Sequence, residues 1–350
     1  NIGSVNFPIF AYQRALEINP QDAIAWYEQG KLLQKSQQYE RASSAYNMAI
    51  GIQPKYSQAL ARQTETLNKL QNYELALQMS DLALAGDRVW SEETTLAYLW
   101  NQRSSALVHL KKYEESIADA ERAIALKRDY AEAWNNKAVS LWNLNKYIQA
   151  EQASLKAINF AQKNTQAWFN RGRILSSLRR YPEAIKAYEK ALAGDLKKED
   201  NFIHGSIWTN KGVAYWYEAK KLQQPQQKSQ KYLRAYLNLK KATEINSKSF
   251  EAWYNKAAVI LEWQYHDKKH VKASQKKYNE ALTAYNKANE INPNNSAVLT
   301  GKAMILVRLD KYQDALTNFN DALNIDPDNI LAQKQRDKLL VLIQNQRSNE

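Results

Sequence analysis

The sequence predicts an all-α protein, a solenoid of about eight antiparallel helix hairpins stacked one on another. Two observations lead to this prediction. Tryptophan and small residues recur at a spacing of 34 residues, and each copy carries two helical stripes of apolar residues. The chain of 350 residues also has only nine glycines and seven prolines, too few for the many tight turns of a β-rich fold.

The repeat is clearest in the unit that starts at Ala131. Trp134 lies at position 4, and the small residues at positions 8, 20 and 27 are Ala138, Ala150 and Ala157. Positions 4, 8 and 11 share a face of one helix, and positions 20, 24 and 27 share a face of a second. Small side chains let the helices approach closely, while position 4 is expected to point into the core. The register predicts units that start near Ala23, Ser57, Ala97, Ala131, Thr165, Gly205, Phe250 and Ser296.

The same register divides the chain. Residues 1–22 are interpreted as the second helix of a truncated repeat, residues 23–329 as eight units, and residues 330–350 as a capping helix and tail. The first two of four insertions are interpreted as longer first helices. The last two are interpreted as surface segments between the helices of a repeat, so that removing them should leave the fold intact. The insertions lie near residues 88–96, 197–204, 219–231 and 265–277.

These repeats resemble the tetratricopeptide-repeat family, whose pattern over 34 residues is W-x2-L-G-x2-Y, followed by A-x3-F, A and P. The resemblance is carried by AWYEQGKLLQKSQQYERASSAYNMAIGIQP at residues 25–54 and AWFNRGRILSSLRRYPEAIKAYEKAL at residues 167–192. It implies a right-handed superhelix in which the first helix of each repeat lines a concave face. The repeats are also similar to those of cyanobacterial and other bacterial signalling proteins, which implies a protein-binding scaffold within a larger signalling protein.

Positions 2, 5, 6, 9, 12 and 13 of each first helix are expected to face the concave groove. An amide offers both a donor and an acceptor, so a row of amides at position 6 would hold an extended peptide backbone, as in members of the family with an asparagine ladder. Bridging of neighbouring helices is the structural alternative. The row consists of Asn136, Asn170, Asn210 and Asn255, with Gln102 before them. Aromatic residues that would anchor ligand side chains in the same groove are Tyr98, Trp142, Phe169, Trp216 and Tyr254.

Charge points to anionic partners. The chain has 49 Lys and Arg against 36 Asp and Glu, a formal net charge of +13. Basic residues are concentrated in the two large insertions, where they would form a basic edge suited to an acidic protein. A pair of solvated turns is the alternative, and the lack of a dedicated motif disfavours nucleic acid. The residues of the basic edge are Lys220, Lys221, Lys228, Lys231, Arg234, Lys268, Lys269, Lys272, Lys276 and Lys277.

Catalysis finds little support in the sequence. It contains no G-x-S-x-G, P-loop or H-E-x-x-H motif. His266, His270 and Glu262 would share one helix face and could hold a metal, although such histidines are more often solvated. Without cysteine there is no thiolate chemistry, and no apolar run approaches the ~20 residues of a membrane span. We therefore expect a cytoplasmic, non-enzymatic protein without a cofactor. The alternatives are the recruiting arm of an enzyme whose catalytic domain lies outside this chain, or a nucleic-acid-binding array.

Overall fold

The computed structural model describes residues 3–92, 95–195, 200–266 and 271–347. In these residues the chain forms eighteen α-helices and no β-strand, which confirms the all-α prediction. Contacts divide the chain into two compact units, Asn1–Gln162 and Lys163–Glu350. Each unit is a stack of antiparallel helix hairpins, because every helix packs against the helix that precedes it within its unit.

The first unit contains a single helix followed by four hairpins. The single helix is α1 (Gly3–Ile18). Each first helix also touches the first helix of the next hairpin, so the first helices form an inner layer and the second helices an outer layer. The hairpins are α2 (Ala23–Lys35) with α3 (Tyr39–Ile52), α4 (Ser57–Lys69) with α5 (Tyr73–Ala85), α6 (Leu96–His109) with α7 (Tyr113–Leu126), and α8 (Ala131–Asn143) with α9 (Tyr147–Phe160).

The second unit contains four hairpins followed by a single helix, α18 (Ile330–Arg347). Helix α18 packs on both helices of the last hairpin, and the first helices again form an inner layer. The hairpins are α10 (Thr165–Ser177) with α11 (Tyr181–Leu192), α12 (Asn201–Lys221) with α13 (Pro225–Ile245), α14 (Phe250–His266) with α15 (Val271–Ile291), and α16 (Ser296–Arg308) with α17 (Tyr312–Ile325).

The small residues at positions 8, 20 and 27 allow the two helices of each hairpin to approach closely. In all eight repeats the side chains at positions 20 and 27 are 0% exposed, which confirms the predicted burial. In two of the three hairpins with glycine at position 8, the glycine lies against a buried tyrosine. A Cβ atom on Gly30 would lie 2.5 Å from the ring of Tyr46, and one on Gly172 would lie 2.4 Å from the ring of Tyr188. Each glycine therefore makes room for a buried tyrosine on the second helix.

The tryptophan at position 4 packs against the core as expected but is not fully enclosed, since Trp26, Trp168 and Trp253 contact the core and remain half-buried. Trp134 is half-buried, and its Nε1 donates to the carbonyl oxygen of Arg128 at 2.9 Å. Trp26 and Trp253 make the same bond to a carbonyl six residues earlier. Because an indole N–H needs a hydrogen-bond partner when it is buried, this side chain lies at the base of the hairpin. There it fixes the turn between consecutive repeats.

The first two insertions differ from each other. After Gly86 ends α5, the described residues are not helical until Leu96, so the expected longer first helix is wrong there. The physical reason is an anchor: the Asp87 N–H donates to the carbonyl oxygen of Lys55 at 2.8 Å, which holds the loop against the preceding turn. At the second insertion α12 does begin early, at Asn201, as expected.

The two large insertions lengthen the hairpins α12–α13 and α14–α15. Pro225 is the first residue of α13, beside the bend as predicted. Ala219 is fully buried, and Trp263 Nε1 donates to Ser229 Oγ at 3.0 Å, so the lengthened hairpins pack against each other. In the first of these two insertions, residues 220–231 are exposed or half-buried and extend the flanking helices, so the tolerance of the fold to its removal stays a prediction. Residues 267–270 of the second insertion lie outside the described residues.

Replacing Ala184 by leucine tests the close approach. Ala184 is 0% exposed at position 20 of the α10–α11 hairpin, so the added methyl groups should overpack the contact and lower the free energy of unfolding by about 1–3 kcal/mol. Urea denaturation followed by circular dichroism would measure this change. The matched control is Lys186→Leu on the exposed side of the same helix, with an expected effect within about 0.5 kcal/mol. An Ala184→Leu protein as stable as the wild type would contradict the register.

Candidate binding grooves on the inner helices

Each unit carries a groove on its inner layer. In the second unit, the C-terminal groove lies between α12, α14, α16 and α18 and encloses about 640 Å³. Its walls are largely apolar, and Leu331 and Leu342 on α18 remain 50% and 39% exposed. All six positions of α16 that the sequence assigns to the groove line it: Ala297, Thr300, Gly301, Met304, Val307 and Arg308.

The acidic residue of the C-terminal groove is already compensated within the protein. Glu262 accepts hydrogen bonds from Trp216 Nε1 at 2.8 Å and from the Tyr232 hydroxyl at 3.1 Å. It also forms an ion pair with Lys220, whose Nζ lies 3.0 Å from the carboxylate and 4.4 Å from the centre of the Trp216 ring. This network joins α12, α13 and α14 and leaves little negative charge facing the groove.

In the first unit, the N-terminal groove has a different character. It lies between α2 and α4, encloses about 570 Å³, and is lined mainly by charged residues, four basic and two acidic. Glu65 accepts from Gln34 Nε2 at 2.5 Å and from the Tyr98 hydroxyl, and the Arg62 guanidinium lies 5.3 Å from the centre of the Tyr98 ring. Burial, assisted by the charge of Glu65, raises the pKa of Tyr98 well above its ordinary value. Tyr98 is thus engaged inside the protein rather than presented as a ligand anchor.

The position-6 amides of the first unit bridge neighbouring helices. Asn136 Nδ2 donates to Asn101, at 3.0 Å from Oδ1 and 3.3 Å from the carbonyl oxygen, and so links α8 to α6. Gln102 is half-buried, and Asn68 Nδ2 donates to its side-chain Oε1 at 3.4 Å and to its backbone carbonyl oxygen at 2.8 Å. These contacts correspond to the structural alternative for Asn136 and Gln102.

The three asparagines of the second unit differ from one another. Asn170 is only 4% exposed and accepts from Gln166 Nε2 at 3.3 Å. Asn210 donates to the carbonyl oxygen of Ser206 in its own helix at 2.9 Å. Asn255 is half-buried and makes no side-chain hydrogen bond within the described part of the chain. None of the three lines the C-terminal groove, although α12 and α14 do.

Two of the five aromatic residues predicted for the groove do line it. Trp216 and Tyr254 lie on the walls of the C-terminal groove. Phe169, by contrast, is only 8% exposed and packs in the core near Tyr188, with ring centres 6.1 Å apart. Trp142 is half-buried on α8 and is not part of the lining of either groove. Sequence position alone therefore does not separate groove aromatics from core aromatics.

Four of the ten basic-edge residues are engaged within the protein, three of them by carboxylates. Lys221 Nζ donates to the carbonyl oxygen of Arg179 at 3.0 Å and lies 4.8 Å from the centre of the Tyr181 ring. Three other lysines form ion pairs at 2.6–3.0 Å: Lys220 with Glu262, Lys231 with Glu218, and Lys277 with Glu280.

The remaining six basic-edge residues differ in their exposure to solvent and in how much of them the structure describes. Arg234 and Lys276 are exposed, and Lys228 is half-buried. Lys268 and Lys269 lie outside the described residues, and for Lys272 only the helical backbone is described.

Glu280 is the centre of a cluster that ties α13, α14 and α15 together. Its carboxylate receives the Tyr236 hydroxyl at 2.8 Å and the ammonium groups of Lys256 and Lys277 at 3.0 Å each. Burial opposes ionisation, but the hydrogen bonds from these three donors outweigh it and lower the pKa of Glu280 to about 2. The ionised carboxylate is therefore a stabilising contact at neutral pH.

The described residues give no sign of a metal site or a membrane span. Among them, no group of three or more His, Asp or Glu is placed to hold a metal ion. His270 lies outside the described residues, and the side chain of His266 is not described, so the predicted trio with Glu262 has no observed geometry. No helix in the described ranges is both long enough and apolar enough to cross a bilayer.

The bridge formed by Asn136 leads to a stability prediction. Asn136→Ala removes its bonds to Asn101 and should lower the free energy of unfolding by about 0.5–1.5 kcal/mol, measured by urea denaturation. Asn255→Ala is the control, because this amide makes no side-chain hydrogen bond in the described residues, and its effect should stay within about 0.5 kcal/mol. Equal losses in the two variants would argue against the bridging role.

The cluster around Glu280 leads to a pH prediction. Its folded-state pKa of about 2 is below the ordinary value of 4.5, so its stabilisation is fully present above pH 4.5 and is lost as the pH falls toward 2. Glu280→Gln should therefore be less stable than the wild type at neutral pH, and the difference should shrink between pH 4.5 and 2. Thermal melts across this range would measure it. A difference that does not depend on pH would contradict the proposed source of stabilisation.

The comparisons with known proteins agree with this architecture. Models of the tetratricopeptide repeat match residues 11–42, 97–130, 131–164, 165–193 and 272–339, together more than half of the chain. No curated protein sequence matches.

Three solved structures share the fold at low sequence identity. The Cut9–Hcn1 hetero-tetramer of the APC/C is 16% identical, with a TM-score of 0.57, and the match covers 94% of this chain and 58% of that chain. The pilF protein of Pseudomonas aeruginosa is 15% identical, with a TM-score of 0.56 and coverage of 69% and 97%. A tetratricopeptide repeat protein from Parabacteroides merdae is 14% identical, with a TM-score of 0.52 and coverage of 82% and 99%. Given its 34-residue register, its stacked hairpins and these matches, the chain belongs to the tetratricopeptide-repeat family.

Proposed function

We propose that the chain is a protein-interaction scaffold and that its C-terminal groove binds an extended segment of a partner protein. The observation that carries this proposal is the open apolar groove on the inner layer of the second unit. Its volume of about 640 Å³ falls within the range of about 300–1,000 Å³ that is usual for ligand sites. Exposed apolar surface gathered in one concavity is typical of interaction sites.

The walls of this groove are better suited to contact the side chains of a bound segment than its backbone. Tyr254 and Trp216 supply aromatic surface, and Met304 supplies an adaptable apolar surface. A row of amides gripping a peptide backbone receives less support, because the Nδ2 groups of Asn136 and Asn210 already donate within the protein and neither side chain lines the C-terminal groove. We therefore assign recognition mainly to apolar side chains of the partner.

The wider setting follows from the resemblance of the repeats. Their similarity to repeats in bacterial signalling proteins supports a scaffold that serves a larger signalling protein. Nucleic-acid binding through the basic edge receives less support, because Lys220, Lys231 and Lys277 are paired with carboxylates.

A groove-blocking variant tests the proposal. Ala258 is half-buried on α14 and lines the groove, so Ala258→Trp would fill it with an indole ring. The wild-type chain and the variant would be immobilised and exposed to a bacterial lysate, and the captured proteins would be quantified by mass spectrometry. We expect the variant to lose the partners that the wild type retains.

The matched control is Thr317→Trp, which places the same ring on the exposed surface of the outer helix α17. It should retain the partners of the wild type, and all three proteins should have similar melting temperatures. If Ala258→Trp captures the same proteins in the same amounts as the wild type, the C-terminal groove is not the binding site.

A further inference from the structure

Three repeats carry a buried tyrosine at position 24, and comparing them isolates one hydroxyl group. The Tyr46 hydroxyl donates to Gln34 Oε1 at 2.8 Å. The Tyr188 hydroxyl lies 3.2 Å from Ser176 Oγ. In both hairpins the partner stands at position 12 of the first helix, so the hairpin satisfies its own tyrosine. The third tyrosine of this set is Tyr285.

Tyr285 has no such partner. It is 2% exposed, and position 12 of its hairpin is Leu261, whose side chain has no polar atom. Its hydroxyl makes no hydrogen bond within the described part of the chain. The hydroxyl oxygen is also not one of the fully enclosed side-chain atoms that lack a partner, so it opens onto the groove. A ligand atom there can take the place that Gln34 and Ser176 fill in the other two hairpins.

The next repeat leaves room for this hydroxyl to reach the groove. Gly301 occupies position 6 of α16, where the four preceding repeats have asparagine. A Cβ atom on Gly301 would lie 2.4 Å from the Tyr285 hydroxyl oxygen. Both residues line the C-terminal groove, so the hydroxyl lies at its floor because position 6 has no side chain. Burial, with a smaller effect of Tyr254, raises the pKa of Tyr285, so that the group stays a neutral donor.

The rim of the groove adds a preference for negative charge. Lys338 on α18 is exposed and forms no ion pair within the described residues. Arg308 on α16 lines the same groove but is already engaged within the protein. The acidic residue of the groove, Glu262, is paired with Lys220. The charge that Lys338 presents to a partner is therefore positive.

We propose that Tyr285 is the hydrogen-bond donor that anchors a partner's peptide segment in the C-terminal groove, and that this segment carries apolar side chains flanked by acidic ones. The apolar side chains would lie against Tyr254, Met304 and Leu342, with a peptide oxygen on the Tyr285 hydroxyl. The acidic side chains would lie toward Lys338. This inference rests on the proposed function and specifies the chemistry of the partner.

Removing the hydroxyl group from two tyrosines tests the first step without any ligand. Tyr285→Phe should leave the melting temperature unchanged or raise it, because it removes a polar atom without a partner. Tyr188→Phe, in the same unit, should lower the melting temperature, because it removes the contact with Ser176. A loss of stability in Tyr285→Phe equal to that in Tyr188→Phe would show that the Tyr285 hydroxyl is already satisfied within the protein, and it would overturn the inference.

Binding of defined peptides tests the second step. The probe is a fluorescein-labelled nonapeptide in which Leu and Phe form the centre and Asp and Glu flank them. One comparison peptide has Lys in place of the acidic residues, and another has Ser in place of Leu and Phe. By fluorescence anisotropy, the acidic apolar peptide should bind, and both comparison peptides should bind at least about tenfold more weakly.

The variants then locate the contact. Tyr285→Phe should weaken binding of the acidic apolar peptide by about 2- to 10-fold, the range for one lost neutral hydrogen bond. Tyr188→Phe should bind like the wild type. Unchanged affinity in Tyr285→Phe, no binding of the acidic apolar peptide, or a preference for the Lys peptide would each overturn the inference.

The groove-blocking variant separates this inference from the proposed function. If Ala258→Trp abolishes peptide binding while Tyr285→Phe does not, groove binding stands and the role of Tyr285 falls. If Ala258→Trp also binds like the wild type, groove binding falls with it. Concentration-dependent self-association of the wild type in sedimentation velocity, abolished by Ala258→Trp, would assign the groove to a second copy of the chain and overturn the inference.

Discussion

The close approach of the two helices in each hairpin is the constraint on which the other features depend. Ala, Ser, Gly or Thr at position 8 and Ala or Ser at positions 20 and 27 bring the backbones together, and the residues at positions 20 and 27 have no solvent contact. Large side chains are then confined to the gaps between hairpins or to the inner surface. Tyr46 and Tyr188 pack over a glycine of their own hairpin, whereas Tyr285 packs against Gly301 of the next hairpin and lines a groove.

Carboxylates between helices form a second level of organisation. Glu280 joins α13, α14 and α15, and Asp119, only 1% exposed, pairs with Arg103 and with Arg122 in the first unit. Each carboxylate has donors on its own helix and on a neighbouring helix, so it gives the stack directional contacts that apolar packing does not provide. Glu262 likewise forms an ion pair with Lys220. Although the chain has a net positive charge, its basic edge therefore presents less unpaired positive charge than the composition suggests.

Periodicity in the sequence predicts most of the fold, because a 34-residue register determines which residues meet across a hairpin. It does not determine how deeply a side chain lies. Trp134 is half-buried because its indole N–H bonds to a turn carbonyl, and Asn136 bridges two helices because Asn101 lies within reach. The sequence pattern did not identify Tyr285 as a site residue, because a tyrosine at position 24 is buried in other hairpins as well. Its hydroxyl becomes available to a ligand only where position 12 lacks a polar side chain. The sequence does contain an indication of this difference, since position 12 is Leu261 in this hairpin and its side chain has no polar atom.

The central claim, that the inner helices of the second unit hold the partner, has a direct test because the chain contains no cysteine. A single cysteine, either Met304→Cys in the C-terminal groove or Asn320→Cys on the exposed face of α17, would carry a benzophenone label. Irradiation in the presence of the captured partner should give a covalent adduct from position 304 and little from position 320. Equal adducts from both positions, or an adduct from position 320 alone, would contradict the account.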